Sequence, residues 1–286
     1  MTEIEDANGR LAVTVLGSGG PFPTKKRVSS GYLVWINGEP RLLVDAGGGV
    51  FQRIGRLGIS LAGLGAVLLT HTHIDHTGGL APLIFAAYMQ GRTTPLGVIG
   101  PSGREMHPGC ERFVKLLFSE DGAWSYMNTF EGFGIEAREL PSEPQEEPEI
   151  TALTDVLPGE RFTVRSVAVP HGMMPSVAYR LEYAGSSVVF GGDIQSTHPG
   201  LTELARGCDL LIHDMALPER EVEHGHLHAK PSEVGRVAKE SGCRSLLLTH
   251  FMPEIEDEID AAVATVRGAY AGEVLLAEDL MTVPVG

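Results

Sequence analysis

The sequence predicts an α/β protein built from two related halves packed face to face. Two apolar segments end alike, VLLTH at residues 67–71 and LLLTHF at residues 246–251, so one strand-to-histidine junction is used twice. Short alternating or β-branched segments punctuated by Gly, Pro and Asn-Gly supply the strands, and amphipathic stretches between them supply helices. At 286 residues the chain can bury a large core, and it is taken as a single domain over residues 1–286.

Residues 11–16 alternate as a first strand and run into Gly17-Ser18-Gly19-Gly20, with Pro21 and Pro23 following. That glycine-rich loop lacks the Lys-Ser/Thr ending of a nucleotide-binding loop and leads into no helix pattern, so a phosphate cradle is set aside. Residues 32–36 and 41–44 pair across Asn37-Gly38, a two-residue hairpin signal. Asp45 closes that hairpin ahead of three glycines, where a carboxylate can cap a helix or brace a metal-bound imidazole; bracing is preferred. Residues 49–57 read as a short amphipathic helix, 67–69 as a buried strand, 80–89 as a helix with Pro82 in its first turn, and 96–99 as a strand. Aromatic and leucine side chains cluster between Glu105 and Phe133, either as a helix face packed on the sheet or as a substrate wall or subunit contact. PSEPQEEP at 141–148 is a surface loop. Further strands are expected at 162–169, 176–182, 187–190, 209–213, 245–249 and 273–277. Helices are expected at 201–208, after His228, and at 256–270.

The chemistry concentrates in VLLTHTHIDHTGGL, residues 67–80. A buried strand feeds His71, His73, Asp75 and His76. Period-two geometry sends His71 and His73 the same way, and Asp75 and His76, one tight turn later, face a neighbouring point. One short loop can therefore serve two metal ions. Three imidazoles and a carboxylate suit zinc, manganese or iron, whereas calcium and magnesium want oxygen donors throughout. A merely solvated histidine-rich loop does not fit between a buried strand and a Gly-Gly turn into an apolar helix.

The HxHxDH string resembles the metal-binding loop of the metallo-β-lactamase superfamily. Other segments resemble it in the expected order over nearly the whole chain, most weakly between residues 105 and 160. Among its branches the chain is most similar to the ribonuclease Z and arylsulfatase-like phosphodiesterase group. The resemblance implies a four-layer αββα sandwich of two mixed β-sheets flanked by helices, with LGSGGP and SSGYL in the opening hairpin at the floor of the cleft. It implies that His71, His73 and His171 hold one metal and Asp75, His76 and His250 the other. Asp193, which follows a buried strand and Gly191-Gly192, is shared between them. Two divalent ions are thus expected, Zn2+ first, with Mn2+ or iron admitted, and a bridging hydroxide as nucleophile. Asp75 also accepts the proton of the water, and His228 protonates the departing oxygen. Asp214 stands where that group commonly carries a glutamate close to the leaving group, and being one methylene shorter it has no firm role. His224 and His226 are read as solvated or bracing, and His213 is left unassigned.

The expected activity is metal-dependent hydrolysis of phosphodiester bonds in a small-molecule or nucleotide-like ester. A sulfate ester, lactone or thioester would suit the same metals. Transfer-RNA 3′ processing counts as an alternative. Against it stand the lack of the long protruding arm with which ribonuclease Z proteins grip transfer RNA and a formal net charge of −15, which opposes phosphate. A diiron oxidoreductase of the same fold would carry a glutamate where His73 stands and a flavin domain, and a scaffold without turnover would have lost ligands. Cys110, Cys208 and Cys243 lack any CxxC spacing, which implies neither a disulfide framework nor a thiolate zinc site. With an acidic start, no signal pattern and no apolar run of spanning length, the expectation is a cytoplasmic, soluble protein without a membrane partner. A homodimer is the commoner state in the resembled group.

Overall fold

The computed structural model describes residues 11–147, 149–152, 162–223 and 225–286. Its first strands are β1 (Leu11–Gly17), β2 (Gly31–Ile36), β3 (Glu39–Val44), β4 (Ala66–Leu68), β5 (Leu96–Pro101), β6 (Ile135–Leu140) and β7 (Thr151–Ala152). There follow β8 (Phe162–Val169), β9 (Ser176–Tyr183), β10 (Ser186–Phe190), β11 (Leu210–Asp214), β12 (Ser245–Thr249), β13 (Glu273–Leu276) and β14 (Thr282–Val285). They form two seven-stranded sheets, in the orders β14-β1-β2-β3-β4-β5-β6 and β13-β12-β11-β10-β9-β8-β7. Each sheet is mixed: β1, β2 and β3 pair antiparallel before β3 to β6 run parallel. In the second sheet β8, β9 and β10 pair antiparallel and β10 to β13 run parallel.

Alternation along the strands sorts side chains into layers. Tyr32, Val34 and Ile36 of β2 and Leu42 and Val44 of β3 share one buried cluster with Val177, Tyr179 and Phe190 of the second sheet. Leu33, Trp35 and Leu43 point the other way. They join a separate cluster with Val50 and Ile54 of α1 (Val50–Leu57). The short α2 (Ile74–Thr77) follows β4, and Leu80, Leu83 and Ile84 of α3 (Leu80–Met89) with Val114 and Phe118 of α4 (Cys110–Phe118) complete that outer layer. On the far side, α5 (Pro199–Leu204), α6 (Pro231–Ser241) and α7 (Ile259–Ala269) cover the second sheet through Leu201, Leu204, Val234, Val237, Val263 and Val266. The result is helix, sheet, sheet, helix, as the sequence predicts. Burial of each such Leu or Val contributes about 1.5–3 kcal/mol.

The Tyr179 hydroxyl crosses between the sheets and donates to the Leu69 carbonyl at 2.8 Å. The aromatic segment after Glu105 packs Val114, Phe118 and Met127 beneath the first sheet and leaves Leu116, Trp124 and Tyr126 on the surface. The three cysteines are buried and free. Among the described residues no helix is long and apolar enough to cross a membrane.

Three elements depart from expectation. The helix read at 201–208 begins at Pro199 and ends at Leu204, because His198 Nδ1 accepts from Gly200 N–H at 3.1 Å and Gly207 turns left-handed at φ 61. Strands β6 and β14 carry no strong signal. IEAREL alternates charge with apolar residues at a sheet edge, and TVPV is four residues long with a proline.

Strands β3, β4, β10, β11 and β12 all end towards the same side, and β8, antiparallel to β9, ends there too. Asp45, His71, His171, Asp193, Asp214 and His250 sit at or just beyond those carboxyl ends. Open sheets bind ligands at this edge.

Candidate metal centre

The loop after β4 delivers the first donors. His71 is fully buried, His73 lies at the start of α2, and Asp75 and His76 sit inside its single turn. His71 Nε2 approaches His73 Nδ1 at 3.0 Å, and His171 Nε2 approaches the same atom at 3.3 Å. On the other side His76 Nε2 lies 3.3 Å from His250 Nε2, which is 3.2 Å from Asp75 Oδ2. Asp193 Oδ2 stands between the two groups, 3.8 Å from His71 and His171, 3.4 Å from His76 and 3.3 Å from His250. All seven residues expected from the sequence meet here. His71, His73, His171 and Asp193 form one set of converging donors, and Asp75, His76 and His250 another.

Local backbone explains the convergence. Gly192 adopts φ 66, and a Cβ there would sit 2.9 Å from Thr70 Cβ, so only glycine lets the Asp193 turn close on the metal loop. His250 itself is left-handed at φ 59, and a side chain at Gly20 would come 2.8 Å from its ring, so the loop after β1 packs bare backbone against it.

Hydrogen bonds outside the cluster fix which nitrogen of three of the rings faces in. His76 Nδ1 donates to Asp45 Oδ2 at 2.8 Å. The Thr70 hydroxyl donates to the same oxygen at 2.8 Å and lies 3.0 Å from His71 Nδ1, which donates to it. His171 Nδ1 donates to the Leu227 carbonyl at 3.0 Å. In each case the partner fixes the tautomer and leaves Nε2 with its lone pair aimed inward. Asp45 thus braces imidazoles as expected. Thr70 was not singled out, although both strand-to-histidine junctions read Leu-Thr-His; at the second, Thr249 meets the Tyr32 hydroxyl at 3.1 Å.

These donors suit divalent cations. Ring nitrogens of neighbouring imidazoles converge to 3.0–3.3 Å, the spacing of donors that share one cation. Tetrahedral donors about 2.0–2.1 Å from zinc are roughly 3.3 Å apart. Asp45, Asp75 and Asp193 are buried, and their ion-pair partners among the described residues are histidines alone. Three buried carboxylates without Lys or Arg need cationic charge from elsewhere. Burial alone would raise the Asp75 carboxyl, yet positive charge on His76 and His250, whose own pKa values the carboxylates raise, holds it at about 2; a divalent cation would displace those protons and take over that charge. Burial pushes His171 down to about 4 and holds His71 well below the usual imidazole value, keeping both neutral and free to coordinate.

His228 borders the cluster. Its Nδ1 donates to Asp214 Oδ2 at 2.8 Å, and its ring centre lies 5.2 Å from that of His250. Asp193, His228 and His250 offer a third set of donors. Asp214 is buried at 1% exposure behind His228, with His213 Nδ1 3.0 Å from its other oxygen. His213 also donates to the Asp214 carbonyl at 2.8 Å. His226 is exposed, and His224 lies outside the described residues. A cavity of about 340 Å³ opens over His73, Asp75, His171, Asp193, His228 and His250, with Pro21, Phe22, Ile74, Leu217, Leu227 and Met252 around it. A larger one, about 540 Å³, lies beside Ser142 and Ser166 and contains none of the seven donors.

Residues 40–251 match the family described as the beta-lactamase superfamily domain. The chain belongs to the β-lactamase superfamily. It is a metal-dependent hydrolase of that superfamily. Among curated relatives, the ribonuclease Z of Mycolicibacterium paratuberculosis is 31% identical over 294 residues, which span 96% of this chain and 98% of the relative. Among solved structures, the metallo-β-lactamase fold protein YhfI from Bacillus subtilis aligns with a TM-score of 0.73 at 26% identity, over 96% of this chain and 99% of that one. The short form of human tRNase Z aligns with a TM-score of 0.72 at 23% identity, over 96% and 99%, a likeness of fold.

Proposed function

We propose that this hydrolase cleaves phosphodiester bonds with two divalent cations, zinc first, and that its substrate is RNA, as the name of its ribonuclease Z relatives suggests. The observation that carries the chemistry is the pair of donor sets meeting at Asp193 Oδ2. In this reading His71, His73 and His171 hold one cation, Asp75, His76 and His250 the other, and Asp193 both. Bound there, the cations would supply Lewis acidity, easing deprotonation of water and offsetting charge on the phosphoryl oxygens.

The chain's own residues do the rest. Asp75 is ionised at neutral pH and would accept the proton of the attacking water. His228 delivers a proton to the departing oxygen. Its Nδ1 is engaged by Asp214, so Nε2 is the nitrogen left for the substrate, and Asp214 stabilises the imidazolium while holding the ring in place. Asp214 acts through His228, since it lines none of the open cavity over the donors. Three buried thiols suit a reducing compartment, and we place the protein in the cytoplasm.

That no segment of the sequence resembles a protruding arm does not separate this chain from proteins named ribonuclease Z, because one such relative aligns over 98% of its own length. A second reading, a small nucleotide-like diester, is favoured by the cavity, whose lining includes neither Lys nor Arg, and by the net charge of −15. The deciding assay offers the zinc- or manganese-loaded protein a precursor transfer RNA with a 3′ trailer and, separately, bis(p-nitrophenyl) phosphate and p-nitrophenyl acetate. Cleavage of both supports RNA. Turnover of the small diester alone moves the substrate to the second reading, and hydrolysis confined to carboxylic esters removes both.

A further inference from the structure

We propose that the mouth of the metal centre is a seat for one neutral, planar ring beside a single phosphate, with Phe22 and Ile74 as the residues that select it. The inference rests on the phosphodiesterase reading and names what that substrate carries next to its scissile group.

Both side chains are placed against folding logic. Ile74 lies between His73 and Asp75 yet is 79% exposed, and Phe22 is 45% exposed. A lone apolar side chain on a surface needs no explanation. These two line the same cavity as the donor cluster, together with Leu217, Leu227 and Met252. A substrate whose ester reaches the donors must therefore lie across them.

Phe22 is presented from an anchored loop. Thr24 Oγ1 donates to the Arg27 carbonyl at 3.0 Å, and Arg27 donates to Ser18 Oγ at 2.8 Å, to the Ala277 carbonyl at 2.6 Å and to Glu256 at 3.0 Å. Ile74 is held by its neighbours, whose side chains both turn into the cluster.

Charge narrows the ligand further. Among the described residues lining the cavity, the carboxylates that face the donors are Asp75 and Asp193, and no lining residue is Lys or Arg. A second phosphate held inside the cavity would find no Lys or Arg among the lining residues, so further phosphates of an RNA run outside it. The cations supply positive charge at one place, sufficient for one phosphoryl group. What adjoins it rests on an aromatic face and a branched aliphatic chain, and a nucleobase fits that surface by stacking and by loss of apolar area to water.

The test measures binding, so it is independent of turnover. Uridine 5′-monophosphate and ribose 5-phosphate are titrated calorimetrically into the zinc-loaded protein, the difference between them being the base. The base should tighten binding by about tenfold or more. Phe22→Ala and Ile74→Ser should each remove most of that increment while leaving ribose 5-phosphate affinity and zinc content as they were, and Phe22→Tyr should keep it. If Ile74→Ser disturbs zinc content, the two Phe22 variants decide. Equal affinity for both ligands in the unaltered protein, or an increment that survives Phe22→Ala, overturns the proposal. Failure to hydrolyse both bis(p-nitrophenyl) phosphate and the precursor transfer RNA would instead remove the reading beneath it.

Discussion

The Asp45 carboxylate lies 2.8 Å from His76 Nδ1, and the same oxygen receives the Thr70 hydroxyl that in turn receives His71. One carboxylate therefore orients an imidazole in each donor set. Asp45 sits at φ 57, a conformation asparagine tolerates almost as well, so Asp45→Asn removes charge with little backbone cost. We expect zinc affinity to fall roughly 10- to 100-fold with the fold retained, read by competition with a chelating dye and by far-UV circular dichroism.

Asp193→Ala should lose metal and activity together. Its Oδ2 stands within 3.8 Å of four imidazoles drawn from both sets, and no neighbouring carboxylate takes its place between them. Elemental analysis after reloading should find well under the metal content of the unaltered protein; full occupancy with lost turnover would contradict the shared role.

For His228→Ala the expectation is the reverse: metal content unchanged and turnover reduced about 10²- to 10⁴-fold on substrates with alkoxide leaving groups. The loss should shrink for p-nitrophenolate, which departs without a proton. Asp214→Asn should follow the same pattern more weakly, since it keeps the ring in place but withdraws the negative charge behind it. A uniform loss across leaving groups would remove the proton-donor assignment.

Chelation should destabilise the protein, because three buried carboxylates are left with imidazoles alone. Free metal at 100 times its dissociation constant adds about 2.7 kcal/mol, so the melting temperature should drop by roughly 5–10 °C on stripping. Calorimetry with and without chelator checks this.

Tyr179→Phe tests the contact between sheets. The hydroxyl donates to the Leu69 carbonyl at 2.8 Å and is buried at 1% exposure. Its removal strands a buried acceptor and should cost about 1–2 kcal/mol in urea unfolding, with metal content unaffected.

The legible parts of the sequence were those where local pattern and chemistry coincide. The repeated Leu-Thr-His junction announced both halves, and HxHxDH announced the donors, because strand period and tight turn leave few other places for those side chains to point. His171 and Asp193 became legible only through chain order relative to a known family. The cost of separating donors by long stretches of chain is that spacing says nothing of their meeting. Thr70 escaped notice because a threonine before a histidine has many uses, and its link to Asp45 spans 25 residues. β14 escaped because its partner, β1, lies at the other end of the chain: Leu11 pairs with Val285. Phe22 and Ile74 could not be placed from sequence, since exposure at a cavity mouth is a property of the assembled surface.

His76 and His250 are separated by 174 positions yet lie side by side. During synthesis the amino-terminal half emerges with four potential ligands and no means to close a cage. Only when His250 has left the ribosome and the last parallel strands have docked can the set of Asp75, His76 and His250 close, so that half of the centre belongs to the finished polypeptide. A chain interrupted before that residue would keep the set of His71, His73, His171 and Asp193 and lack the other, so the paired centre is a property of the complete fold.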